Sequence, residues 1–249
     1  MWREVNGIKV PIDKVYKIYI NGDFVTRIVT TPSDLDDLII GFLYTEGYVA
    51  SPDDIDHVEI GDGIIRVDLR VLRQRIPEER DVAMNIGPCS ANSLSSLIYS
   101  LLSSAQQGQQ LPGTSLTMEQ VKALASQFSR YAIYPSMHTA ALVNDGWLVV
   151  HDVSRHSAIL KLVGKVIKRN ALGGIVLSTG RVSSDMVTAV ASIGVSTIIS
   201  LRGPLYSGVE TACKLGLTLI ANVRGKGFLV LCDKSKIIKD ANSRISLST

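Results

Sequence analysis

Three short, unbroken apolar runs in the second half of the chain constrain its fold most: GIVLS at 174–178, STIIS at 196–200 and LTLIA at 217–221. A strand with one wet face alternates apolar and polar residues, whereas a strand apolar on both sides must be covered on both. Helical stretches separate the runs, at 183–193 and 206–215, and two more helices are expected upstream at 117–129 and 155–169. Between those two, HTAALVNDGWLVVHDV reads as a pair of strands. Strand and helix in regular alternation predict an α/β layered domain over 111–249. The chain as a whole is then of α/β class, α+β overall, because the first half is built differently.

There, KVYKIYINGDFVTRIVTT alternates about Asn21-Gly22, a pair suited to tight hairpin turns, so the first 30 residues are expected to be antiparallel strands. TPSDLDDLIIGFLYTEGYV follows as a helix. Thr31 or Ser33 is its expected cap, Asp34, Asp36 and Asp37 sit at its positive end, and Gly47 terminates it. DHVEIGDGIIRVDLRV predicts a second hairpin about Gly61-Asp62-Gly63. Leu94, Leu97, Ile98, Leu101 and Leu102 lie at helical spacing, and the polar run SSAQQGQQLPGTS after them reads as a linker. A smaller β-rich N-terminal domain is therefore expected over 1–110, with one helix and the loop around Cys89, ahead of the α/β domain over 111–249.

With 46% hydrophobic and 20% charged residues among 249, the chain is long enough for a proper core. A net charge of +3 does not point to nucleic acid as a partner. No stretch approaches the roughly 18 apolar residues of a membrane helix, and MWREVNGIKVPIDK has no apolar leader, so a cytoplasmic protein without a membrane partner is expected. Cys89, Cys213 and Cys232 include no CxxC pair, which argues against a disulfide framework and against a structural zinc site. Cys213, in VETACKLGL, and Cys232, in FLVLCDK, are expected as core residues. Cys89 stands where an extended segment meets a helix start, a position whose dipole lowers a thiol pKa. It is the one credible nucleophile, with packing as an equal alternative.

In sheets of this kind ligands bind beyond the carboxyl ends of the strands. Three such segments, STGRVSSDM, SLRGPLYSG and NVRGKGF, each carry an arginine beside or near a glycine: Arg181, Arg202 and Arg224. Guanidinium forks together with helix N-termini make receptors for phosphate or carboxylate, and solvated turns are the bland alternative for any one segment. His138, Asp152, Arg155 and His156 form a second cluster, fit for general-base work or phosphate contact. His151, on an expected strand, reads as structural. A rival motif, HVE at 57–59 with PCSAN at 88–92, evokes zinc-dependent deaminases, but Asn92 stands where a second thiolate is needed, and no metal site is expected.

Four ordered segments, TTPSDLDDLIIGFLYTEGYV, HTAALVNDGWLVVHDVSRHSAILKLVG, STGRVSSDMV and GVETACKLGLTLIANVRGKGF, resemble the formate dehydrogenase accessory sulfurtransferase family, FdhD. The resemblance spans nearly the whole chain. It implies a cytidine deaminase-like three-layer larger domain, a homodimer, and sulfur carried as a cysteine persulfide. That sulfur would pass from a cysteine desulfurase to the molybdenum (or tungsten) bis(molybdopterin guanine dinucleotide) cofactor of formate dehydrogenase or a related oxidoreductase. Cys89 is then the sulfur carrier, and Ile86 takes the place of the first cysteine in the family's C-G-x-C-G loop. The guanine dinucleotide site is expected at His138, Arg155, His156, Ser178, Gly180, Arg181, Ser183, Asn222, Val223, Arg224, Gly225, Lys226 and Gly227. A non-catalytic chaperone that binds the cofactor or a guanine nucleotide is the alternative.

Overall fold

The computed structural model describes residues 2–73, 115–224 and 227–233, without the side chain of Arg224. Cys89, the helix expected near 91–104, the boundary near 110 and residues Gly225 and Lys226 lie outside the described residues.

The chain begins with a small hairpin, β1 (Trp2–Val5) and β2 (Ile8–Pro11). A four-stranded sheet follows: β3 (Lys14–Ile20), β4 (Asp23–Thr30), β5 (Ile55–Ile60) and β6 (Ile64–Leu69), in the order β4-β3-β6-β5. Asn21 and Gly22 both have positive φ, 50° and 90°, as the tight β3–β4 turn requires. The helix α1 (Leu35–Thr45) lays Leu38, Ile39, Phe42 and Leu43 on Ile18, Ile20, Ile65 and Val67 of this sheet.

The start of α1 departs from expectation. Its N-cap is Asp34, in the left-handed region and without a side-chain cap bond. Thr31 is engaged elsewhere: its N–H donates to Asp152 Oδ2 at 3.1 Å and its hydroxyl accepts from the N–H of Val153 at 3.2 Å. A tertiary contact has outcompeted the local cap.

The second sheet has six strands in the order β12-β11-β10-β9-β7-β8. They are β7 (His138–Val143), β8 (Trp147–Asp152), β9 (Ile175–Ser178), β10 (Thr197–Ser200), β11 (Thr218–Arg224) and β12 (Gly227–Cys232). The three apolar runs form the parallel centre, β9-β10-β11, flanked by the antiparallel β7 and β12. Register divides their side chains between two faces. Val176, Ile198 and Leu219 face α3 (Arg155–Lys168), α4 (Ser184–Ala191) and α5 (Tyr206–Leu215). Leu177, Ile199 and Ile220 face α2 (Met118–Ser129), where Phe128 also stacks on Trp147 at 6.4 Å. Each such side chain, fully buried, contributes about 1.5–3 kcal/mol relative to exposure. The result is the expected three-layer α/β/α arrangement.

The two sheets are joined through α1 and α3. Their backbones meet at Gly41 and Gly164, where a Cβ on either would overlap a carbonyl of the other helix, Leu160 and Asp37 respectively. Beside this crossing, Lys161 and Asp152, both fully buried, form an ion pair at 2.6 Å. Asp152 also accepts from the Thr30 hydroxyl at 2.6 Å and from the N–H of Ser154 at 2.7 Å, and Lys161 donates to the Thr31 carbonyl at 3.0 Å.

Cys213 and Cys232 overturn the expectation of unpaired core cysteines. They form a disulfide between α5 and β12, with Cα atoms 5.5 Å apart. Such spacing is ordinary for a bridge, and the pairing needs no CxxC motif because it links a helix to the edge strand lying beside it.

Candidate functional site

The sheet directions determine where the polar segments meet. Strand β7 runs against β9, so His138, the first residue of β7, lies at the edge where β9 ends. Strand β8 runs against β7 and brings Asp152 opposite His138, which sets the start of α3, and Arg155 with it, at the same edge. The segments after β9 and β10 add Thr179, Gly180, Arg181, Leu201 and Arg202. Together with Ser129, Tyr134 and Met137 these line a cavity of about 720 Å³. It lies beyond the carboxyl ends of the parallel strands, where α/β sheets take ligands.

Serines fasten the arginine-bearing segments. The N–H of Gly180 donates to Ser178 Oγ at 3.0 Å, and the Ser200 hydroxyl donates to the Gly180 carbonyl at 2.8 Å. The N–H of Arg202 donates to Ser200 Oγ at 3.0 Å, and the Arg202 carbonyl accepts from the N–H of Asn222 at 3.0 Å. Gly180 has a steric reason to be glycine: a Cβ there would come within 3.0 Å of the Arg155 Cβ.

Among the described residues, three guanidinium-bearing side chains, Arg155, Arg181 and Arg202, line the cavity and no carboxylate does. Burial lowers the pKa of His138 below the ordinary histidine value, and the charges of Arg155 and Arg202 lower it further against the opposing pull of Asp152. These effects favour the uncharged imidazole of His138, which lines the cavity. Among the described lining residues the positive charge is that of the arginines. Such a cavity receives an anion, and the planar forks favour phosphate or carboxylate oxygens.

Of the expected site residues, His138, Arg155, Gly180 and Arg181 line this cavity. Val223 and Gly227 line a second hollow of about 350 Å³, which shares Ser129 and Leu201 with the first. Ser178 and Ser183 are buried and act as fasteners; Ser183 donates to Asp185. His156 lines neither space, and its Nδ1 bonds Asp185 Oδ2 at 2.7 Å. Burial opposes charge on His156, but Asp185 outweighs it and raises the pKa above the ordinary value. Asn222 is exposed, with φ of 56°. Arg224 ends β11, while Gly225 and Lys226 fall outside the described residues.

Ser129, Tyr134 and Thr179 were not singled out from sequence. Tyr134 had the only signal, an aromatic in YPSMH just before His138. It is braced between Trp2, with ring centroids 4.9 Å apart, and His151, edge-on at 5.2 Å. His151 has a structural role, sharing a 3.0 Å hydrogen bond with the Thr139 hydroxyl. His57 and Glu59 of the deaminase-like motif lie exposed on the edge strand β5, and Glu59 bonds Arg66 at 3.3 Å.

A three-layer α/β unit is joined to a smaller β sheet and carries, at the carboxyl edge of its own sheet, an arginine-walled cavity whose charge suits an anion. The chain belongs to the FdhD/NarQ family, whose model matches residues 11–238. It is 30% identical over 230 residues to the sulfur carrier protein FdhD of Geobacillus kaustophilus (strain HTA426), covering 89% of this chain and 87% of that protein. It is also 30% identical over 254 residues to the sulfur carrier protein FdhD of Methanothermobacter thermautotrophicus, covering 92% of each. The fold matches the crystal structure of a proposed formate dehydrogenase accessory protein from Desulfotalea psychrophila, with a TM-score of 0.68 and 22% identity over 95% of this chain and 96% of that one.

Proposed function

We propose that the protein is a sulfur carrier serving formate dehydrogenase or a related molybdenum or tungsten oxidoreductase. In this reading the Cys89 thiolate attacks the terminal sulfur of a persulfide on a cysteine desulfurase. A new S–S bond forms at Cys89, the desulfurase S–S bond breaks, and the desulfurase cysteine leaves as a thiolate, so no net oxidation occurs. The outer sulfur then passes to the client's bis(molybdopterin guanine dinucleotide) cofactor, which is the substrate. The persulfide S–S bond breaks, Cys89 leaves as a thiolate, and the two electrons that bring the sulfur to the sulfide level come from the reduced client cofactor. Arg155, Arg181 and Arg202 hold the pyrophosphate of that cofactor, and neutral His138 offers a hydrogen bond beside it. The protein acts in the cytoplasm as a homodimer.

The observation that carries this reading is a cavity walled, among the described residues, by three arginines and no carboxylate in a chain of the FdhD/NarQ family. Incubation with a cysteine desulfurase and cysteine should add about 32 Da, the mass of one sulfur atom, at Cys89, as read by mass spectrometry of the digested protein. An unmodified Cys89 beside a control carrier that does accept sulfur would refute the transfer role. Ile86, in the position of the family's first cysteine, favours a second reading, a cofactor or guanine-nucleotide chaperone without transfer chemistry. That reading predicts nucleotide binding that persists in Cys89→Ala while no adduct forms on the wild type.

A further inference from the structure

The bridge between Cys213 and Cys232 lies where one sulfur can be reached and one strand can move. Cys232 ends β12 buried in the core it shares with α3, α4 and α5, whereas Cys213 on α5 is half-buried. A thiolate from outside therefore has its access at the Cys213 sulfur. Release of the strand takes little from the core, because Phe228, Leu229, Val230 and Leu231 of β12 are only half-buried. The freed Cys213 thiol has an acceptor at hand, the Leu231 carbonyl, 3.9 Å from its Sγ. Both the closed and the open state are thus accommodated.

The strand held by the bridge reaches the ligand cavity. Ser129 and Leu201 line both the cavity and the second hollow, so the two form one trough, and Val223 and Gly227 belong to its wall. Strand β11 pairs with β10 as far as Ile220, opposite Ile199. Beyond that point, among the described residues, Ala221 and Arg224 pair with Leu229 and Gly227 of β12. From this same stretch the N–H of Asn222 donates to the Arg202 carbonyl at 3.0 Å. The hold on Arg202, one of the cavity's arginines, therefore runs back through β11 and β12 to the bridge.

We propose that Cys213 and Cys232 form a thiol–disulfide exchange site for small-molecule thiol–disulfide couples such as glutathione, and that closing the bridge tightens the cavity's grip on its anion through Arg202. The coupling rests on the anion-binding part of the function proposed above. Reduction takes two exchanges. An outside thiolate bonds to the Cys213 sulfur and Cys232 leaves as a thiolate; a second outside thiolate then attacks the outside sulfur of the mixed disulfide, and Cys213 leaves in turn. The bridge gains two electrons, its two sulfurs take the two protons given up by the outside thiols, and those thiols depart as their disulfide; closure is the reverse.

The full chain, equilibrated in mixtures of glutathione and glutathione disulfide, then alkylated, digested and weighed, should show the bridge opening and reclosing as the ratio is varied. Calorimetry with inorganic pyrophosphate should give binding about threefold to tenfold weaker in the reduced protein, the worth of one hydrogen bond. Cys213→Ser with Cys232→Ser should bind as the reduced wild type does and should no longer respond to the couple, which separates this bridge from any response of Cys89. A bridge that stays closed, or stays open, at every ratio overturns the exchange site. Equal affinity in the two states, or a response that persists in the double variant, overturns the coupling and leaves the arginine cavity standing. Failure of pyrophosphate to bind in either state overturns the cavity reading and the coupling with it, while the alkylation pattern still decides the exchange site.

Discussion

At Gly180 and His156 the site depends on what a single side chain excludes or holds. A methyl group at Gly180 would press on the Arg155 stem from 3.0 Å, and the neighbouring Ser178 hydroxyl, 3.4 Å from the same point, leaves little room to yield. Gly180→Ala should weaken pyrophosphate binding several-fold by calorimetry and also lower the melting temperature, because the atom it meets first, the Arg155 Cβ, is fixed to the backbone of α3. Retained affinity would show that Arg155 does not contact the anion. His156 answers to pH. Its pKa is raised by Asp185, and burial and the paired charge act in opposition on Asp185, whose pKa is lowered in turn by His156 and by the Ser183 hydroxyl. A histidine raised on folding stabilises fully below its unfolded value, about 6.5, and loses that stabilisation as pH rises through the folded value. A carboxylate lowered on folding stabilises above about 3.9 and loses this as pH falls through the folded value. The pair is thus strongest between those limits. His156→Gln should lose more stability at pH 5.5 than at pH 8.5 in denaturant titrations; an equal loss at both would mean that the imidazole is not charged in the folded protein.

The elements meet most tightly where α1 crosses α3. Because Gly41 and Gly164 face each other's backbone, neither helix can retreat without separating the two sheets. Gly164→Ala should cost about 1–3 kcal/mol, the range for overpacking a close-packed interior, read as a lower denaturation midpoint with an unchanged slope. The buried pair beside that crossing should behave differently. Lys161→Met alone leaves Asp152 charged and without its cation in a dry interior and should cost about 3–5 kcal/mol, whereas a double replacement of both partners by apolar residues should cost much less. A single-variant loss equal to the double would show that the pair interacts weakly. Most elements were legible in the sequence because each had a local signal: Asn21-Gly22 for a turn, unbroken Val-Ile-Leu runs for doubly covered strands, helical periodicity over 117–129 for α2. What was not legible depended on long-range partners. Thr31 reads as a helix cap until Asp152, 121 residues away, claims its N–H. His156 reads as a cavity residue from its place in SRHSA, yet the turn of α3 carries it to Asp185. Ser129 lies at a helix end with no motif at all, and only the packing of α2 over β10 and β11 brings it to the trough.

At the scale of the whole molecule, the trough is assembled from both ends of the larger sheet's sequence: α2 precedes its first strand, and Val223 and Gly227 belong to its last two. Among the described strands the edge strand β12 pairs only with β11, with register shifts between Leu219 and Ile220 and between Ala221 and Arg224, so that ladder is a weak hold. The Cys213–Cys232 bridge ties this strand to α5 across 19 residues of sequence, and Thr218 adds a hydrogen bond to Asp233 at 3.0 Å just beyond it. Closing a loop of that size removes chain entropy from the unfolded state worth about 3 kcal/mol. Reduction by a dithiol, or Cys213→Ser with Cys232→Ser, should therefore lower unfolding stability by about that amount. Because β11 and β12 supply one wall of the second hollow, hydrogen exchange along Gly227–Cys232 should quicken in the reduced protein before exchange along β9 and β10 does. Uniform quickening across the sheet would mean that the bridge stabilises the fold as a unit; unchanged exchange and stability would mean that the two thiols are already separate in solution.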